Sequence, residues 1–538
     1  MARTSLMRLI KKWAQELQLK EINANNGRGT LGPSLTRREF IAGLGAAGMI
    51  SLLPKWAKAG LTPRIAIVGS GIAGLACALK LDDRGVKATV YEASHRVGGR
   101  MFSKTDYWDG NQISEWCGEL IDSGHQTIRQ LAMRFGLPLD DLLSAEPEHA
   151  EELYYFFGND YTYDEAKADF AGVFNIIKDD LQAADYPTQF DSFTQAGYAL
   201  DHMSIYDWIE TRIPGGHASR FGQLLDVAYN IEYGAETTDQ SALNLLYLLG
   251  YQANSSAGAN AFNIFGVSDE RYHIRGGNQK LPEAIKNYLG ESWFRFGAQL
   301  TKITRTENQQ YRLRFKTVDG KDSFEEYFDY VVLAIPFAVL REIDYSEAGF
   351  DELKHTAIQE LGRGRNGKLQ LQFLHRFWHQ RQTGESGVSN GSTYSDTGYQ
   401  ASWEVTRAQP GIQGILNLYS GGETTGSMKT KVPFATDANK QSVQDALQGV
   451  TQMAPVFPGA AQEWNGKITQ SLPHLSSFFK ASYSYYRVGQ YTTFGGYEKA
   501  PQGTVLFCGE HTSQDFQGFM EGGASEGERA AKELLRAL

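Results

Sequence analysis

Cysteine is nearly absent: Cys77, Cys117 and Cys508 are the only three in 538 residues. They lie far apart and form no CxxC, so neither a disulfide framework nor a thiolate metal site is indicated. The eleven histidines make no HExxH or related spacing, and no structural metal is expected. No apolar run is long enough to span a bilayer. The longest, near residues 40–53, has the size of a signal-peptide core. An excess of positive charge is missing too. Net charge is −10, and without residues 1–59 the chain carries 42 basic against 59 acidic residues. That balance argues against nucleic acid as a partner. What remains, 41% hydrophobic and 21% charged, is the composition of a globular protein. It is too long for one core, so two or more domains are expected.

Against these absences one stretch stands out, residues 64–100. RIAIV is a short apolar run of the kind a buried parallel strand uses. Gly69-Ser70-Gly71-Ile72-Ala73-Gly74 follows and fits GxGxxG. The next residues read as a helix closed by Gly85, then as a strand, KATVY, ending at the acid Glu92. In that setting the first glycine allows a tight turn, the second lets a pyrophosphate approach the backbone, and Gly74 lets the helix pack on the strand. The helix N-terminus offers unpaired N–H groups to phosphates. Glu92 is placed to accept from ribose hydroxyls.

Glu92-Ala93-Ser94-His95-Arg96-Val97-Gly98-Gly99-Arg100 resembles the flavin amine oxidase family, whose members share E-A-x-x-R-x-G-G-R after the second strand. Read from the residues alone, the second glycine pair with its arginines is equally a pyrophosphate-facing turn or a basic surface turn. The resemblance implies FAD, with Ala93, Gly99 and Arg100 at the cofactor. It also implies that the turn Gly118-Glu119-Leu120-Ile121 passes beside the flavin ring, where a glycine permits close approach. Leu300 would lie near the adenine. In TVLFCGEH, Gly509 and Glu510 would meet the ribityl or phosphate chain, with Gly518-Phe519-Met520-Glu521 under the ring. That second helix start could stabilise charge on the reduced flavin. Lys368 matches a family lysine that holds a water against flavin N5. Gly-Gln-Tyr-Thr-Thr (489–493) resembles the stretch in which a cysteine links covalently to flavin; Gln490 stands there, so FAD is expected to be non-covalent. Tyr491 and Phe519 would then form an aromatic cage.

The fold class implied is α/β. A discontinuous Rossmann-like FAD-binding domain takes residues 60–125, 266–345 and 490–538, an α+β substrate domain 346–489, and a helical subdomain 126–265. Apolar spacing of three and four supports helices in TIRQLAMRFGL, DEAKADFAGVFNIIKDDLQAA, IYDWIETRI and QSALNLLYLLGYQ. Residues 1–59 read as an address. Thr36-Arg37-Arg38-Glu39-Phe40-Ile41 resembles the twin-arginine export motif, a Gly-rich apolar stretch follows, and Ala57-Lys58-Ala59 supplies a cleavage site. Periplasmic location or secretion is expected.

The resemblance implies oxidation of an amine by hydride transfer to flavin, with molecular oxygen as acceptor and hydrogen peroxide as product. Oxidation of L-amino acids to 2-oxo acids is the favoured form, with a monoamine or polyamine oxidase next. A desaturase or dehydrogenase that does not use oxygen stays open, as does a homodimer. An amino acid requires a cation for its carboxylate. No arginine adjoins Gly118–Asp122, which leaves Arg363, Arg365 and Arg487 as candidates.

Overall fold

The computed structural model describes residues 63–250, 268–383 and 387–538. The twin-arginine-type segment and its cleavage site lie outside the described residues.

The glycine-rich turn begins where sequence reasoning puts it. β1 (Ile65–Val68) is buried along its length and runs into α1 (Ile72–Asp82), then β2 (Thr89–Glu92). Three distant segments complete a parallel sheet: β3 (Phe294–Phe296), β4 (Tyr330–Leu333) and β5 (Val505–Phe507), in the order β5-β4-β1-β2-β3. A parallel sheet is covered on both faces. One cover is α1, apolar nearly all round, and the last helix, α2 (Met520–Ala537), packs directly on it. The run FRFGAQLTKIT splits between two sheets. Gly297, at φ +69, turns the chain out of the parallel sheet, and Ala298–Arg305 joins a separate four-stranded sheet.

The second large sheet is built around Gly367–Phe373, fully buried and paired antiparallel with Gly414–Ser420 and Trp464–Ser471. It continues through Ala401–Glu404 and Gly387–Ser395. Its far edge is a surprise. The hairpin Ala150–Phe156 and Asn159–Tyr161 comes from the stretch whose pattern reads as helical, yet Ala150–Phe156 pairs parallel with Gly387–Ser395.

The rest of that stretch is helical. Tyr163–Ala184 starts in a capping box between Thr162 and Glu165. Gln126–Arg134, Ile205–Arg212 and Ala242–Leu249 occupy three further expected places. Arg220–Tyr233, which the pattern did not single out, ends at left-handed Gly234. A β-carbon on Gly234 would fall 2.1 Å from Asn366 Oδ1, so glycine is what lets the helix end dock on the second sheet. Among the described residues, no helix is long and apolar enough to cross a membrane, and no group of three or more His, Cys, Asp or Glu is placed to hold a metal.

Candidate active site

A cavity of about 870 Å³ runs between the parallel sheet and the antiparallel one. At one end it is walled by the glycine turn. Gly69 sits at φ +102, and a β-carbon there would lie 2.6 Å from Ala334 O. Gly71 has nothing within 4 Å of such an atom, which leaves room for a ligand against the backbone. Gly74 does not face the cavity. Its own β-carbon would strike Gly69 O at 2.0 Å, as expected of a packing glycine. Gly71 caps α1 without a side-chain partner, so the first N–H groups of Ile72 and Ala73 stay open to an anion.

Glu92 lines the cavity at the end of β2. One of its oxygens accepts from Ser70 N (2.9 Å) and Ser70 Oγ (2.7 Å), the other from Ser94 N (2.8 Å) and Ser94 Oγ (2.7 Å). These four bonds use both oxygens and fix the acid in position at the edge of the cavity. Ala93, Gly99, Arg100 and Leu300 line the same end. Arg96 is held against the ring of Phe102 at 3.9 Å and donates to the carbonyls of Val97 and Gly99.

Further in, Glu510 ties the site together. One carboxylate oxygen accepts from Ser484 Oγ (2.8 Å) and Gly518 N (3.0 Å), and the other meets Arg100 Nη1 at 3.1 Å. Burial pushes its pKa up, but Arg100, His511 and the Ser484 hydroxyl outweigh that and leave it below the ordinary carboxylate value. Gly509 and Met520 line the wall beside it. Glu521 serves a different purpose: its carboxylate accepts from Thr127 N and Ile128 N at 2.9 Å each and caps the helix Gln126–Arg134. Gly118 lies against Met520, whose Sδ would be 3.0 Å from a β-carbon there. Of the expected flavin-side turn, Gly118, Glu119 and Leu120 line the cavity, while Ile121 turns into the core and exchanges backbone hydrogen bonds with Tyr272.

The expected cage needs a correction. Phe519 lines the cavity, but Tyr491 does not. Tyr491 is buried between Tyr486 (4.1 Å between ring centroids) and Tyr247, and its hydroxyl donates to Asn244 Oδ1 at 2.9 Å. The cause lies on another element. Gln490–Phe494 forms a short helix, and Asp201 of the helical insert accepts from the N–H groups of Tyr491 and Thr492. That contact docks the segment away from the cavity. Gln490 goes with it and donates to Glu360 O at 2.6 Å. Tyr483 lines the cavity together with Phe519. A β-carbon on Gly518, next to Phe519, would lie 3.7 Å from the Tyr483 ring. The Tyr483 hydroxyl meets that of Tyr419 at 3.1 Å and donates to Ile231 O. Trp403 packs edge-on to Tyr419 at 4.9 Å, extending the aromatic wall. The residue preceding the wall tyrosine is Ser482, whose carbonyl accepts from Arg100 Nη1 at 2.6 Å. The signal in the sequence is SYSYY (482–486), which starts seven residues upstream of GQYTT.

Lys368 lines the cavity, but its ammonium is engaged. It donates to Glu119 Oε2 at 2.5 Å, to Cys117 O at 2.7 Å and, more weakly, to Glu115 O at 3.4 Å. Trp403 Nε1 donates to the other Glu119 oxygen at 3.0 Å.

The end of the cavity beyond the aromatic wall is acidic. The helix Arg220–Tyr233 supplies Glu232, the strand Ala150–Phe156 supplies Glu152, and Glu270 closes the group. Burial holds all three carboxyls above their ordinary range, Glu232 up to about 7 and Glu270 up to about 8, and Glu270 feels both of the others. No arginine balances them from the described wall. Arg407 lies nearby, but it pairs with Glu146 at 2.7 Å and donates to Ser392 Oγ. The three arginines proposed as carboxylate anchors stay outside: Arg487 pairs with Asp239, Arg365 with Glu423, and Arg363 is exposed.

These walls fit FAD. They combine the glycine cradle, a fixed acid at β2 and the open N–H groups of α1. Two buried polar side chains with no protein partner also face the cavity: His511, with both ring nitrogens unmatched, and Gln517, with both amide atoms unmatched. Such groups take their partners from a ligand or water.

The family model described as flavin containing amine oxidoreductase matches residues 72–535. The chain is 24% identical over 504 residues to L-amino acid oxidase Bs29 of Bothriechis schlegelii, covering 89% of this chain and 92% of that one. It is also 24% identical over 511 residues to flavin-containing amine oxidase A of Bos taurus, at 90% and 87% coverage. Among solved structures, cyclohexylamine oxidase from Brevibacterium oxydans superposes with a TM-score of 0.72 at 19% identity, covering 88% of this chain and 99% of that one. Wild-type putrescine oxidase bound to putrescine gives 0.70 at 18%, with the same coverage.

Proposed function

Because the chain belongs to the flavin-containing amine oxidoreductases, we propose that it deaminates a small cationic amine, a diamine or short polyamine, rather than an L-amino acid. The observation that carries this reading is the charge of the cavity. Its lining holds Glu152, Glu232 and Glu270, and Lys368 is already paired with Glu119. A substrate carboxylate would meet three carboxyl groups there and, among the described residues, no uncommitted arginine, and it would be repelled as these acids ionise toward pH 8. A second ammonium on the substrate would find its counter-charge at Glu152 and Glu270.

FAD, when bound, would supply the acceptor for hydride from the amine carbon and the route by which those electrons reach oxygen. The residues do the remaining work. Gly69–Ala73, Glu92, Gly99 and Arg100 would hold the nucleotide end, and Glu510 and Met520 the ring end. Tyr483 and Phe519 flank the amine, orient its carbon and exclude water. The balanced outcome is amine, oxygen and water to aldehyde, ammonia and hydrogen peroxide. We further propose that FAD is held non-covalently. Serine, not cysteine, precedes the wall tyrosine, and burial raises the thiol pKa of Cys117, the cysteine of the described lining, which disfavours the thiolate. The twin-arginine-type segment supports export of the folded, cofactor-loaded protein.

The test is anaerobic mixing of the FAD-loaded protein with L-amino acids, their decarboxylated monoamines and α,ω-diamines, following the oxidised flavin band. Diamines are expected to bleach it fastest, monoamines more slowly, and L-amino acids not at all. Bleaching by L-amino acids but not by their amines would overturn the reading.

A further inference from the structure

We propose that Glu119 is a positioning residue for Lys368: it holds the lysine ammonium in a closed ion pair beside the aromatic cage and so removes a positive charge from the wall that faces the flavin ring. An ammonium has three protons to donate. Here all three have acceptors on the protein, namely the Glu119 carboxylate, Cys117 O and Glu115 O. Glu119 is fixed in turn. Its second oxygen is taken by Trp403 Nε1, and the Trp403 ring lies 5.7 Å from the ammonium. Both side chains are close to fully buried, with 10% of Lys368 and 7% of Glu119 accessible, so the pair is poorly screened by water.

The pair stands at the reacting end of the cavity. Trp403 contacts Tyr419, whose hydroxyl meets that of Tyr483. On the other side, the Glu119 backbone follows Gly118, which lies against Met520. A ring held between the Glu510–Met520 wall and the cage therefore has this pair as a neighbour. A bare ammonium there would stabilise the electron-rich reduced ring, whereas a compensated one does so weakly. Glu119 thus sets how strongly Lys368 acts on the ring and whether it has a proton free for a water.

This inference rests on flavin binding and not on the identity of the amine. It is tested without substrate, by reducing the purified holoenzyme against reference dyes. Glu119→Gln uncovers Lys368 and is expected to raise the reduced-to-oxidised flavin ratio at a fixed dye poise by about tenfold. Glu119→Asp keeps the charge and should stay near wild type. In a Lys368→Met background, Glu119→Gln should do almost nothing, because its effect passes through the lysine. An equal shift in both backgrounds would overturn the proposal, since Glu119 would then act on the flavin by itself. An unchanged ratio in folded, FAD-loaded Glu119→Gln would overturn it as well. Loss of diamine specificity in the substrate panel would leave these measurements intact, so the two readings fail separately.

Discussion

Gly527→Ala should loosen FAD, although residue 527 lies in α2 and does not itself line the cavity. A β-carbon added there would sit 2.1 Å from Ala73 O and 2.9 Å from Ala73 C. Both are backbone atoms in the first turn of α1, and backbone cannot swing aside as a side-chain tip can. The two helices must part by about 1 Å, and overpacking of this kind costs about 1–3 kcal/mol. Alanine offsets part of it, since it improves on glycine inside a helix by about 1 kcal/mol. The strain prevails in sign, and it falls on Ala73, whose N–H would face the phosphates of bound FAD. Gly172→Ala is the control. Gly172 is exposed in the helix Tyr163–Ala184 and has nothing within 4 Å of the added atom, so only the helix gain of up to about 1 kcal/mol remains. One chemical change should therefore lower the melting temperature at 527 and raise it slightly at 172. The assay is thermal unfolding with and without added FAD, together with cofactor retention on gel filtration. Gly527→Ala should lose FAD about tenfold more readily, and the gain in melting temperature on adding FAD should shrink accordingly. Unchanged retention with a raised melting temperature would refute the close contact between α1 and α2.

Tyr483→Ala should slow anaerobic flavin reduction by about one to two orders of magnitude through lost orientation. Tyr491→Phe should leave that rate unchanged and cost about 1 kcal/mol of stability through the lost hydrogen bond to Asn244; the opposite pattern would restore Tyr491 to the cage. Glu270→Gln should raise KM about tenfold for a diamine, and little for the monoamine of equal length, in steady-state peroxide assays. pH should act through the same acids. Glu232 and Glu270 are held by burial at about 7 and about 8, so diamine KM should fall between pH 6 and 8.5 as they ionise. The substrate-free fold keeps protons on them that the unfolded chain releases near the ordinary carboxylate pKa, so their contribution to stability is fully present at low pH and declines as pH rises toward 8. Melting curves across that range, with and without diamine, check the sign.

The parts of the fold readable in the sequence were those with a local cause. GxGxxG works through contacts within a few residues, such as Gly74 against Gly69 O, so β1, α1 and β2 fall where the motif places them. The amphipathic helices follow from spacing along one segment. The hairpin at 150–161 does not. Its strand partner, Gly387–Ser395, lies more than 230 residues away, and nothing local distinguishes a strand completed by so distant a neighbour. The helix Arg220–Tyr233 is buried on so many sides that its residues show little polar face to mark a period.

The cage shows the same division at the level of one residue. Two stretches, SYSYY and GQYTT, offer a tyrosine of similar setting within ten residues, and motif likeness alone favours the second. What decides between them is charge carried by other elements. Asp201, on the helical insert, accepts from the backbone of Tyr491 and Thr492 and pins GQYTT to the insert. Glu510, at the end of β5, accepts from Ser484 Oγ and Gly518 N and so brings Tyr483 and Phe519 to the same wall. Each acid selects a segment by satisfying its polar groups inside the protein, where leaving them unmatched costs about 1–3 kcal/mol apiece. Glu510→Gln should therefore disturb Tyr483 and Phe519 together, since both neighbours lean on one carboxylate oxygen. The quantity to measure is the coupling between Glu510→Gln and Tyr483→Phe in the rate of anaerobic flavin reduction. Strong non-additivity is expected for residues joined through a shared partner. Simple additivity would mean that the two walls are placed independently and that the carboxylate only serves the cofactor.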